Sequence, residues 1–103
     1  MSKEQAQNGR DDTFRALADP TRRKILRMLN GGEMSAGEIA EHFDISGPSM
    51  SHHFNVLKNA DLIRTRRNGQ QILYSLNTTV VQDLYAAMLD LFPGREDKSK
   101  EVL

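Results

Sequence analysis

The chain has 103 residues and no cysteine, and its 14 basic side chains balance its 14 acidic ones. This length fits a single domain with a modest core, and the lack of cysteine excludes disulfides, thiolate metal ligands and cysteine nucleophiles. No apolar run approaches the roughly 18 residues of a membrane span, and the polar N-terminus lacks the apolar region of a secretory signal. The predicted compartment is therefore the cytoplasm.

The first two predicted helices follow a polar tail. Residues 1–10 are polar and of mixed charge, which predicts a disordered tail, and residues 11–18 predict a short helix. Asp19 is suited to the N-cap and Pro20 to the first position of a second helix. The apolar spacing of that helix continues until the Gly-Gly pair at 31–32 ends it.

The next two predicted helices are joined by a tight turn. Ser35 is suited to cap a third helix, with Glu38 at the position that completes a capping box. Ser46 is suited to cap a fourth helix, and Pro48 falls in its first turn. Two short helices in this arrangement are typical of a helix-turn-helix pair.

The fourth helix carries two adjacent histidines that fall on different faces. Successive helical residues lie about 100° apart, so His53 falls beside the apolar side and His52 falls opposite. We expect His53 to be partly buried and hydrogen-bonded within the domain. The divergence also argues against joint chelation of a metal by the pair. The apolar side consists of Met50, Phe54 and Leu57.

A β-hairpin is predicted after the fourth helix. Strand-like runs at 62–67 and 71–76 flank Asn-Gly at 68–69, which is the strongest short hairpin signal. A type I′ turn with this dipeptide at its tip places Thr65 opposite Ile72. The residues expected on the side that faces the core are Ile63, Ile72 and Tyr74.

The last predicted helix is capped by Thr78 or Thr79 and runs to about Phe92, after which 93–103 predict a flexible tail. The folded domain is thus expected over 11–92. The apolar arc of this helix is wider than its own domain requires, which indicates a second partner surface. Its apolar residues are Val80, Val81, Leu84, Tyr85, Met88, Leu89, Leu91 and Phe92.

These elements predict a mainly α fold with a small β-hairpin (α+β), in which four helices, two strands and a fifth helix form a winged helix-turn-helix. The second helix of such a pair fits the major groove of double-stranded DNA, and arginines at the hairpin tip suit phosphates. Zero net charge does not exclude this partner, because 45–71 carry an excess of basic residues. The predicted DNA contacts are Ser35, Ser46, Gly47, Pro48, Ser49, Ser51, His52, Asn55, Lys58, Arg66, Arg67, Asn68 and Gln70.

The sequence resembles the ArsR-type transcriptional repressors over almost its whole predicted domain. The matching segments are FRALADPTRRKILRML at 14–29, SAGEIAEHFDIS at 35–46, PSMSHHFNVLKNADLI at 48–63 and RRNGQQILYSLN at 66–77. The DPTRRKIL and GPSMSHHFNVLK segments look closest to the SdpR-like branch, which lacks the best-known metal sites. The resemblance implies a repressor that covers a promoter with an inverted-repeat operator, its own promoter being one candidate.

The resemblance also implies a homodimer through the first and last helices, and release from DNA by an inducer or protein antagonist of unknown identity. The residues expected at this interface are Phe14, Leu17, Val81, Leu84, Tyr85, Met88, Leu91 and Phe92.

No metal or other cofactor is expected. Where metal-sensing members of the family carry cysteines, this chain has Glu-Met-Ser-Ala-Gly at 33–37. Where others use Asp and His on the last helix, this chain offers only Asp83 and Asp90. Two alternatives stay open: a metal-responsive repressor with a non-standard site, and a winged-helix module for protein contact alone. An enzyme is not expected, because no nucleophile, acid and base combine into a catalytic set.

One residue of the second helix is left with two interpretations. Arg22 lies in the first turn of that helix. It suits either a DNA phosphate or a carboxylate partner within the domain.

Overall fold

The computed structural model describes residues 11–94. The predicted tails lie outside the described residues, apart from Pro93 and Gly94. No helix within 11–94 is long and apolar enough to cross a membrane. The helices are α1 (11–17), α2 (Pro20–Leu29), α3 (Ala36–Ala40), α4 (Gly47–Asn59) and α5 (Thr78–Leu91), and the strands are β1 (Met34–Ser35), β2 (Ile63–Asn68) and β3 (Gln71–Leu76).

Three helix starts are capped as the sequence predicts. In each, a side-chain oxygen accepts a hydrogen bond from the backbone N–H three residues further on, at 3.1 Å for Asp19, 3.1 Å for Ser35 and 3.2 Å for Ser46. The prediction for α5 is wrong, because Asn77 holds the N-cap position and neither of the threonines after it does. The side chain of Asn77 makes no capping hydrogen bond.

The sheet has three antiparallel strands in the order β1-β3-β2, which corrects the expectation of a hairpin alone. β1 has two residues, too few to produce a sequence pattern. The predicted hairpin register is also wrong, because Thr65 pairs with Tyr74 instead of Ile72. Gly69 has a φ of 65°, and Gln70 is not among the non-glycine residues with positive φ, as in a type II′ turn.

The shift of register is two residues, so it leaves every side chain on its predicted face. Ile63 and Tyr74 are buried as expected, but Ile72 is 41% exposed because it lies near the hairpin tip, beyond the end of the core. The core forms between α2, α3, α4 and the sheet, with the Phe54 and Tyr74 rings stacked at 4.5 Å between centroids. α5 contributes no buried side chain to it.

α4 ends in a strained turn. Asp61, which follows the C-cap residue Ala60, has a φ of 58° and is the one non-glycine residue with positive φ in the described part of the chain. Its N–H donates to the Lys58 carbonyl at 2.9 Å, and the Leu62 N–H donates to the Leu57 carbonyl at 3.1 Å. These two bonds form a Schellman motif, whose left-handed position is usually glycine.

Glycine at this position should therefore stabilise the fold. We expect Asp61→Gly to raise the free energy of unfolding by about 0.5 kcal/mol, because the left-handed conformation no longer strains a Cβ atom. Asp61→Val should lower it by about 1 kcal/mol or more, because a β-branched residue tolerates this conformation poorly. Urea unfolding midpoints measure both changes, and equal midpoints would show that the turn stores no strain.

Candidate nucleic-acid interface

The two sides of α4 differ as the helical wheel predicts. Met50, Phe54 and Leu57 are buried in the core. His52 is exposed, whereas His53 is partly buried, so the adjacent histidines have separate environments. The exposed polar side of α4 includes Pro48, Ser49, Ser51, His52, Asn55 and Lys58. This side is the surface that a major groove would meet.

The start of α4 is arranged for close approach of an anion. Ser46 Oγ accepts from the Ser49 N–H and lies 3.0 Å from Ser49 Oγ, to which it donates its own proton. The hydroxyl proton of Ser49 is then left to point outward. The space beside the Gly47 Cα is open. Exposed backbone N–H groups at a helix start favour a phosphate.

The wing, defined as the β2-β3 hairpin over 63–76, exposes Arg67, Asn68 and Gln70 near its tip. Arg66 is exposed too, but it is already paired. Its Nε donates to Glu33 Oε2 at 2.8 Å and its Nη2 donates to Glu33 Oε1 at 2.8 Å. This hydrogen-bonded guanidinium holds the pKa of the Glu33 carboxyl below its usual value. The sequence contains no local signal for a pair separated by 33 positions.

Ser35 departs from the other predicted contacts. It is 5% exposed, and its Oγ accepts from the Glu38 N–H while its own N–H donates to Glu38 Oε1 at 2.9 Å. These bonds form the predicted capping box, and the bond from the Ser35 backbone lowers the pKa of the Glu38 carboxyl. Ser35 serves the start of α3, and we leave it out of the proposed DNA contacts.

Arg22 joins three helices. Its Nε donates to the Ala16 carbonyl at 2.8 Å and its Nη2 donates to the Arg15 carbonyl at 3.0 Å, so it binds the C-terminal end of α1. Its Nη1 lies 3.2 Å from His53 Nδ1 on α4. A guanidinium only donates, so Nδ1 accepts and the ring is neutral with its proton on Nε2. Arg22 therefore fixes α4 relative to α1 and α2.

The position of His53 makes it hard to protonate. Burial lowers its pKa most, the Asp19 carboxylate 3.8 Å from Nδ1 raises it, and the charges of Arg22 and His52 lower it further. The net result is a pKa below the usual 6.5. Protonation would also remove the acceptor that Arg22 uses.

Stability should therefore depend on pH through His53. The unfolded chain protonates this residue near 6.5 and the folded chain only at lower pH, so acid favours unfolding. We expect its contribution to be fully present above about pH 7 and to be lost as the pH falls from 6.5 towards the folded value. Urea unfolding at a series of pH values measures this loss. His53→Gln should remove that part of the pH dependence, and a variant that keeps the wild-type profile would refute the assignment.

The α5 surface is apolar and open. Tyr85 is 66% exposed and Met88 is 43% exposed, and a hollow between them is also lined by Leu89 and Phe92. Large apolar side chains exposed together mark an interaction surface. The other residues predicted at a dimer interface divide between partly buried Phe14, Leu17, Val81 and Leu84 and exposed Leu91 and Phe92.

Metal ligands do not cluster in the part of the chain that the structure describes. No group of three or more His, Asp or Glu side chains within 11–94 lies close enough to hold an ion. His42 lies beyond the end of α3, and its carbonyl accepts from Lys24 Nζ at 3.2 Å.

A helix-turn-helix pair, an exposed polar recognition side on its second helix and an adjacent β-hairpin together define the class of winged helix-turn-helix DNA-binding proteins. The helix-turn-helix pair is α3 and α4, and the hairpin is the wing.

Comparison with known proteins narrows the class. A model of a helix-turn-helix domain matches residues 17–66. The chain is 60% identical over 80 residues to the transcriptional repressor SdpR of Bacillus subtilis (strain 168), covering 78% of this chain and 89% of that protein. It is 43% identical over 64 residues to an arsenical resistance operon repressor of Staphylococcus xylosus, covering 62% of each. A crystal structure of an ArsR family transcriptional regulator superposes with a TM-score of 0.70 at 31% identity, covering 84% of this chain and 92% of that one.

The chain belongs to the ArsR-type family of winged helix-turn-helix transcriptional repressors. The family predicted from the sequence is thereby confirmed.

Proposed function

We propose that the chain acts as a homodimer that represses transcription by binding an inverted-repeat operator, its own promoter being one candidate. Each protomer inserts α4 into the major groove, and the wing contacts adjacent phosphates. The observation that carries this proposal is the division of α4 into a buried apolar side and a continuous exposed polar side. Residues 11–92 form the functional unit, and the cytoplasm is its compartment.

The proposed contacts fall into two kinds. His52 and Asn55 lie on the outward side of α4, where they read base edges. Backbone and hydroxyl groups at the start of α4, together with Lys58 and the wing tip, bind phosphates and set the register. The phosphate set consists of Ser46, Gly47, Pro48, Ser49, Ser51, Lys58, Arg67, Asn68 and Gln70.

The dimer supplies the symmetry of the operator. The exposed apolar surface of α5 supports pairing with α5 and α1 of a second copy, since a two-fold axis brings the same surface together from both chains. Two recognition helices about 34 Å apart then meet successive major grooves on one side of the duplex. An inducer or a protein antagonist would release the repressor by disfavouring this spacing.

Replacing His52 tests the base-reading role. We expect His52→Ala to weaken binding to the specific operator about tenfold or more, since a lost base contact costs roughly 1–3 kcal/mol. Binding to random duplex should change about twofold at most, because that binding depends on phosphates. Fluorescence anisotropy with both duplexes gives the two dissociation constants.

His42→Ala is the matched control, since this exposed histidine lies on the other helix of the pair, and we expect it to leave both constants unchanged. A ratio of specific to random binding that is equal in wild type and His52→Ala would contradict the role of His52. Failure of the wild type to bind any inverted repeat at low salt, where phosphate contacts are strongest, would refute the proposed function itself.

A further inference from the structure

We propose that Glu33 withholds Arg66 from DNA, so that Arg67 and not Arg66 supplies the phosphate contact of the wing. Glu33 would thereby limit binding to DNA of any sequence and raise the share of affinity that depends on the operator. The inference rests on the proposed DNA binding and assigns a role within it to a residue that no sequence motif indicates.

The geometry of the pair leaves Arg66 little capacity for a second anion. Two parallel N–H···O bonds of 2.8 Å join the Nε and Nη2 of Arg66 to the two oxygens of Glu33. This bidentate fork is the same arrangement in which a guanidinium binds phosphate. Only the outer edge of the guanidinium remains, and the carboxylate has already balanced its charge.

The sheet fixes this pair in place. Met34 on β1 and Thr65 on β2 both pair with Tyr74 on the central strand β3. Glu33 precedes Met34 and Arg66 follows Thr65, so both side chains turn to the opposite side of the sheet from their neighbours. They meet there across β3, on the side away from the core. The register of three strands therefore brings the charges together.

Arg67 lies on the other side of the wing. Side chains alternate along a strand, so Arg67 shares the side of Ile63 and Thr65. Ile63 is buried in the same core as the apolar side of α4. Arg67 thus extends from the side of the wing that is continuous with the recognition helix, and it is exposed. Of the two arginines, Arg67 has the free charge and the suitable side.

Charge balance explains the effect on affinity. Each unpaired cation that neutralises a phosphate releases a counterion and steepens the salt dependence of binding. A cation that already faces a carboxylate brings no net charge, so it adds little to binding of random sequence. Because Glu33 and Arg66 are solvent-exposed, their pair contributes little to folding stability, and the fold should tolerate its removal.

The test compares salt dependence across four variants of the full-length chain. Dissociation constants for operator and random duplexes are measured between about 50 and 200 mM KCl. Arg67→Ala should reduce the slope of log K against log salt by about 0.9, whereas Arg66→Ala should change it by less than half as much. Glu33→Gln should steepen the slope by about 0.9 and raise random-duplex affinity severalfold, because it releases Arg66. Glu33→Gln with Arg66→Ala should behave as Arg66→Ala alone.

A charge control and the double variant make each outcome decisive. Glu41→Gln changes the net charge by the same amount on exposed α3 residue 41 and should leave random-duplex affinity nearly unchanged. Equal gains in Glu41→Gln and Glu33→Gln, or a gain that persists in the double variant, would overturn the inference. So would an Arg66→Ala slope that falls as far as that of Arg67→Ala, since the pair would then open on DNA. If the wild type binds no duplex, the proposed function fails first.

Discussion

Replacing Tyr85 by aspartate should convert the proposed dimer into a monomer and weaken binding to an inverted repeat by about 100-fold or more, because two linked recognition helices gain an avidity of this size. Tyr85 is 66% exposed in the single chain, so the substitution removes little from the protomer core. In the dimer, the same position would bury an unpaired carboxylate, which is strongly unfavourable. Light scattering distinguishes an 11.6 kDa monomer from a species of twice that mass.

Ala86→Asp is the matched control, since it introduces the same charge one residue away on the polar side of α5 and is exposed. We expect it to remain dimeric and to bind the operator as the wild type does. Affinity for an isolated half-site should be similar in both variants, which separates loss of pairing from damage to α4. A Tyr85→Asp chain that stays dimeric would place the interface elsewhere.

The parts of this fold that the sequence predicts depend on short-range chemistry. Asp19, Ser35 and Ser46 cap helices because each carries a small oxygen acceptor within reach of a backbone N–H three positions on. The two histidines separate because helical geometry alone sets their directions. Such features need no knowledge of distant parts of the chain, and for that reason they were predictable.

The parts that sequence reasoning missed depend on long-range packing. β1 exists because a two-residue segment finds the edge of β3, and an isolated segment of that length has no pattern of its own. The hairpin register shifted because Gly69 takes the first central position of the turn, which an Asn-Gly pair does not determine uniquely. The contacts of Glu33 with Arg66 and of Arg22 with His53 join residues more than 30 positions apart. Neither pairing follows from residue type.

The contacts of Arg22 should make it the most sensitive charged residue of the helical part. We expect Arg22→Met to lower the free energy of unfolding by about 2–3 kcal/mol, because charged hydrogen bonds to two carbonyls and a partly buried ring are lost together. The acceptors at the end of α1 and on α4 are then left with poorer partners. Since α1 belongs to the proposed dimer interface and α4 to the proposed DNA interface, operator affinity should fall as well. Urea unfolding and anisotropy measure the two effects separately.

Arg23→Met is the control for this prediction, because the neighbouring arginine loses the same charge but a single exposed hydrogen bond, from its Nη1 to the Leu17 carbonyl at 2.8 Å. We expect it to cost less than about 1 kcal/mol. Arg22→Lys should resemble Arg22→Met more than the wild type, since an ammonium group does not reproduce the planar fork that reaches α1 and His53 at once. Equal losses in Arg22→Met and Arg23→Met would show that charge alone, and not the junction of three helices, explains the effect.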